Sequence, residues 1–223
     1  MKKLFLGLAV ASLLAGCAST DDSSNMQSTA ATTSMGAATV TDGQLTKFRA
    51  TSGKSDAWVK HADKNNGKGD VGSSKDTAFD AEGSARIRFM AAGDDFSATP
   101  GLSQVITNIQ PNTDYTLSMY YYDKKGAYSP SELELGVKKV SGESLAGSTI
   151  ESKEVHAKDL NNSPRGEVKT GFRQTTLDFY FGSNTSVEIY ALMHIIDADK
   201  IDKDGDIGKQ TEVRIDEFSL TKK

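Results

Sequence analysis

The chain has 223 residues, with 26 Lys and Arg against 30 Asp and Glu, and its formal charge of −4 argues against a nucleic-acid partner. A single cysteine excludes a disulfide framework and any multi-cysteine zinc site. With 37% hydrophobic residues and four prolines, the chain can fill the core of one sizeable domain.

The first residues read MKKLFLGLAVASLLAGCAST. Lys2 and Lys3 form a positive start, and Leu4 to Leu14 an apolar run too short to span a bilayer as a mature helix. The run ends in Leu14-Ala15-Gly16-Cys17, which resembles the lipobox of a bacterial lipoprotein signal. That resemblance implies removal of residues 1–16 and acylation of Cys17 by chains such as palmitate. Ala18 after the cysteine, in place of Asp, implies sorting to the outer membrane. Processing would remove two positive charges and leave no free thiol for a metal or for catalysis. Residues 17–41 are rich in Ser, Thr and Ala without apolar periodicity. Such a segment cannot bury enough surface to offset its ordering entropy, and is expected to be a flexible tether.

Residues 42–223 are expected to fold. Trp58, the only tryptophan, stands among Asp, Lys and Asn, where it either grips a ligand or plugs the end of a core. In Ala85-Arg86-Ile87-Arg88-Phe89 the apolar residues alternate with the arginines, so Arg86 and Arg88 share an outward face. Two guanidiniums at that spacing suit carboxylate or sulfate; equally, they pair with Glu132, Glu134 or Asp178 on an ordinary charged sheet face. In YTLSMYYYDKKG, Leu117 and Met119 mark the core face and take Tyr115 and Tyr121 with them. Tyr120 and Tyr122 then point outward beside Ser118, as a stacking platform for a sugar or as a cross-strand aromatic pair.

The alternation continues through Glu132–Val137, Thr176–Phe181 and Val187–Ala191, and no 3.6-residue stripe interrupts it. Arg165, Lys169 and Arg173 add basic groups around the intervening segment. Asp197 to Gly208 carries five aspartates. An EF-hand register would put Lys200 and Thr211 where carboxylates are required, which argues against that motif. A structural calcium site on Asp202, Asp204, Asp206 and Asp216 and a solvated acidic turn both remain open. In Val213–Leu220 the apolar phase slips near Asp216-Glu217, which predicts a β-bulge. Nine or ten short strands in one domain predict an all-β, two-sheet antiparallel β-sandwich of jelly-roll type, a barrel being the lesser option.

GSARIRF, GLSQVITNIQPNTDYTLSMYYYDKKG, TTLDFYFGSNTSVEIYALM and VRIDEFSL, in that order, resemble the jelly-roll carbohydrate-binding modules of families four, nine, sixteen and twenty-two. The match runs over residues 84–220 and lapses between 141 and 170. The Asn-Gly-Phe-Glu usual near the first strand is replaced by TDGQLTKFRA, which removes one carboxylate of the calcium site such modules often carry. The resemblance implies a module that binds polysaccharide without chemistry.

His61, His156 and His194 show no zinc spacing, and neither a GxSxG elbow nor a phosphate loop is present. The sequence thus points to a lipid-anchored polysaccharide-binding protein with Tyr120, Tyr122, Arg86, Arg88, Trp58, Tyr190 and Arg173 as candidate contacts. An acidic polymer such as alginate would suit the arginines. The rivals are a lyase or hydrolase on the same fold, with Tyr190 or Tyr122 and Arg173 in catalytic roles, and a structural envelope lipoprotein that binds protein.

Overall fold

In the computed structural model, which describes residues 38–79, 83–159 and 171–223, period-two segments pair into two antiparallel sheets of five strands each. The expected signal peptide, the Cys17 anchor, most of the tether, Arg165 and Lys169 lie outside the described residues. The strands are β1 (Val59–His61), β2 (Asp70–Ser74), β3 (Ser84–Arg88), β4 (Gly101–Ile106), β5 (Asp114–Asp123), β6 (Ser131–Lys139), β7 (Thr149–Val155), β8 (Arg173–Tyr180), β9 (Val187–Ile195) and β10 (Val213–Lys222). The first sheet runs β1-β4-β9-β6-β7 and the second β2-β3-β10-β5-β8. Two short α-helices accompany them among the described residues, α1 (Thr46–Ala50) and α2 (Ile207–Thr211).

Alternation decides which side chains enter the space between the sheets. Ile87, Leu117, Ile215 and Phe179 enter from the second sheet; Leu102, Leu133, Leu135 and Ile189 enter from the first. Each fully buried aliphatic or aromatic side chain contributes about 1.5–3 kcal/mol. Trp58 is part of this core, 3% exposed, with its ring 4.7 Å from Phe218 and its indole N–H donating to the Asp42 carbonyl at 3.1 Å. It plugs the core and is not a ligand contact. Packing reaches back to Ala38 and Val40, and the Gln104 side chain accepts from Thr41 N at 2.7 Å and donates to Thr41 O at 2.8 Å.

The expected bulge is present in β10. Asp216 opposes Tyr120 and Ser219 opposes Ser118, with the register shifting between them. Glu217 takes a left-handed φ of 54°, and beyond it Phe218 returns to the core. The slip leaves Phe218 N–H free of β5, and it donates to Gly43 O at 2.8 Å. A Cβ at Gly43 would lie 2.3 Å from Phe218 O, so the contact admits only glycine.

Candidate binding face

Strand register assembles the second sheet's outer face in rows. Arg86 on β3 lies opposite Gly72 on β2 and Arg214 on β10, and Arg214 lies opposite Tyr122 on β5. Four of the sequence candidates, Arg86, Arg88, Tyr120 and Tyr122, therefore share one face, as alternation requires. The guanidinium carbon of Arg214 sits over the Tyr122 ring at 5.4 Å from its centroid. Arg214 was not among the candidates, although Val213-Arg214-Ile215 alternates just as Ala85-Arg86-Ile87 does.

The charges of this face are largely balanced. Glu212, buried, receives Arg214 at 2.5 Å, Arg88 at 3.9 Å and Arg86 at 4.0 Å. Asp70 lies 3.6 Å from Arg88, and Asp76 pairs with Arg214. The partners differ from the Glu132, Glu134 and Asp178 expected for a charged face, because β3 neighbours β2 and β10. Among the described residues Arg86 has the longest ion pair of the three cations and the most exposed side chain, and the Nε atoms of all three make no hydrogen bond.

Tyr120 corrects the sequence reading. It points outward but is only 3% exposed, because Ala78, Phe79 and Phe172 close over it as a small second cluster. Phe79 meets it edge-on at 5.5 Å. The closure is fixed by Asp216 at the bulge, fully buried, whose Oδ2 accepts from Ala78 N at 2.8 Å and whose Oδ1 accepts from Glu217 N at 2.7 Å. Tyr122 is half-buried against Phe172, with ring centroids 5.4 Å apart. The open aromatic of this face is instead Tyr180, 57% exposed at the end of β8 and opposite Asp114 on β5. Its phenol donates to Asn112 Oδ1 at 3.3 Å. Between the two ends the cover over Tyr120 interrupts the face, and beyond it stand hydroxyls: Ser118, itself buried, with Ser219 at 2.8 Å, and Thr116 donating to Asp178 at 2.6 Å. The span from Tyr122 back to Asp114 is eight residues of one strand, about 26 Å.

Two other candidates lie elsewhere. Arg173 opposes Tyr121, on the inward side at the end of β8, and its guanidinium donates to Phe172 O at 2.9 Å. Tyr121 is in the core with its hydroxyl donating to Asp123 at 3.1 Å, as expected.

Tyr190 belongs to the outer face of the first sheet and is fully covered. Its ring lies on Gly136, where a Cβ would come within 2.3 Å of it, and Lys138 Nζ stands 5.6 Å from its centroid. The phenol donates to Glu134 Oε1 at 2.6 Å, and Glu134 Oε2 is 3.3 Å from His194 Nε2. Burial, the Glu134 hydrogen bond and the Glu134 charge all push the phenol well above its ordinary pKa. The phenol is thus held protonated, with its proton directed at Glu134.

On the same sheet, Glu188 is buried and accepts from Ser103 Oγ at 2.7 Å, Leu145 N at 2.7 Å and Ser144 Oγ. These bonds strap the β6–β7 loop across β9, and His61 Nε2 closes the cluster at 2.8 Å from Ser103 Oγ. The carboxylate sits on the serines and not on the histidine, the wrong order for activating a nucleophile.

The four aspartates proposed for calcium do not form one ligand set. Asp202 Oδ1 accepts from Asp204 N at 3.1 Å; Asp206 caps α2 through Lys209 N and pairs with Lys209 Nζ at 3.0 Å. Asp216 is occupied at the bulge. Among the described residues no group of three or more His, Cys, Asp or Glu side chains is placed to hold a metal ion.

No family model matches the chain, and no curated protein matches it. Solved structures do. The enzymatically active domain of bacteriophage CBA120 tailspike protein 4 is 14% identical with a TM-score of 0.51, over 82% of this chain and 21% of that one. TmCBM61, solved with β-1,4-galactotriose, is 17% identical with a TM-score of 0.47, over 82% and 96% of the two chains. The CBM22-1 xylan-binding domain of Xyn10C from Paenibacillus barcinonensis is 15% identical with a TM-score of 0.43, over 76% and 87%. At 14% identity the tailspike likeness is one of fold, and the strand order makes the chain an all-β sandwich of two antiparallel sheets, the jelly roll that its motif order implies.

Proposed function

We propose that the protein binds polysaccharide without chemistry, along the outer face of the second sheet. The observation that carries this reading is the pairing on one face of an open aromatic, Tyr180, with the Arg86–Arg214–Tyr122 row about 26 Å away. An exposed ring stacks on the C–H face of a sugar, and hydroxyl-bearing side chains between the two ends hydrogen-bond its hydroxyls. Arg86, incompletely paired, favours an acidic polymer such as alginate, whose carboxylates accept a two-pronged hydrogen bond. Lipidation of Cys17 would hold the module at the outer membrane and raise the local concentration of polymer there for separate enzymes.

Affinity electrophoresis in gels containing alginate, pectin or neutral xylan tests the reading, followed by staining for unsaturated or reducing ends. Retardation without products, strongest in alginate or pectin, is expected. Products would make the protein an enzyme, and no retardation in any gel would favour a structural lipoprotein that binds protein.

A further inference from the structure

The structure assigns a second ligand site, for an acidic mono- or disaccharide unit, to a groove of about 720 Å³ at the β1–β4 edge of the first sheet. It lies on the opposite sheet from the face proposed above, so either site can fail alone. Val59 and Val105, each 47% exposed, line the groove together with Ala57. Both are among the few large apolar side chains that reach solvent among the described residues, and finding both in one concavity gives it an apolar floor. Lys47 and Lys54 stand on its wall, and neither is in a salt bridge among the described residues. Asp56 supplies one carboxylate to the same lining. An apolar floor with two unengaged ammonium groups and one acceptor fits a sugar ring that carries a carboxylate: the ring's C–H face on the valines, its carboxylate on the lysines and a hydroxyl on Asp56.

The wall is preformed. Asp42 accepts from Lys47 N at 2.8 Å and Phe48 N at 2.9 Å, fixing the start of α1. Phe48 O then accepts from Gly53 N at 2.7 Å, and Lys54 N donates to Thr51 O at 3.3 Å. The Trp58 indole on Asp42 O and the two bonds between Gln104 and Thr41 tie this segment to the core. Both ammonium groups therefore project from a fixed backbone, which reduces the ordering cost of binding.

Calorimetric titration of the full-length protein in detergent with digalacturonate and with neutral galactobiose tests the site. Digalacturonate should bind and neutral galactobiose should not, and Lys47→Gln with Lys54→Gln should weaken digalacturonate binding about tenfold or more. Val105→Asp, on the exposed floor, should also abolish it. Digalacturonate that fails to bind, or binds both variants as it binds the natural chain, would overturn the site. Retention of that affinity in the groove variants but its loss in Arg86→Gln would overturn the groove while supporting the second-sheet face.

Discussion

Arg86 and Arg214 lie directly opposite each other on the outer side of β3 and β10 and share the buried Glu212 between them. Like charges in register repel, so the carboxylate is what permits the row. Glu212→Gln removes the compensating charge from a desolvated position and should cost about 3 kcal/mol of stability, read by urea denaturation. It should also release the guanidiniums and increase retardation in alginate gels. A variant with unaltered retardation would separate these arginines from ligand binding.

Asp216 is the pin of the bulge. Asp216→Ala leaves the buried amide of Ala78 and the partly buried amide of Glu217 without this acceptor, and should lower stability by about 2–3 kcal/mol. Ala78 and Phe79 would then lift from Tyr120, which tyrosine fluorescence quenching by acrylamide would detect as new exposure.

Tyr190 should resist ionisation well above the usual tyrosine pKa of about 10. An alkaline absorbance titration of Glu134→Gln should bring its transition down, since the carboxylate's hydrogen bond and charge both hold the proton on. Gly136→Ala, which drives a Cβ into that ring, should destabilise the fold by about 1–3 kcal/mol.

His61 has its pKa lowered, by burial first, with the Glu188 charge opposing. The native state thus binds fewer protons than the unfolded chain. Stability is full above the unfolded value of about 6.5 and falls as pH drops toward the lower folded value. Thermal melts between pH 7.5 and 5 should show this decline, and His61→Gln should flatten it.

The strands were legible because alternation is a local property: Ala85, Ile87 and Phe89 went inward as their spacing required. The slip at Asp216-Glu217 was equally visible, since one extra residue inverts every later side chain. The cover over Tyr120 is not legible locally, because it arrives from residues about 40 positions before it and 50 after. Trp58 could not be placed for the same reason: its partner Phe218 stands at the other end of the domain. Arg214 and Tyr180 were different. Their alternation already turned them outward, and only the knowledge that β10 lies between β3 and β5, and that the loops leave Tyr180 open, raised them to candidates.

Residue-level chemical-shift mapping with an alginate hexamer tests the binding face most directly. The account predicts shifts at Arg86, Tyr122, Thr116, Asp178 and Tyr180, with Tyr180→Ala weakening the hexamer about tenfold. Shifts confined to the first sheet, or saturable binding that Tyr180→Ala and Arg86→Gln leave unchanged, would contradict it.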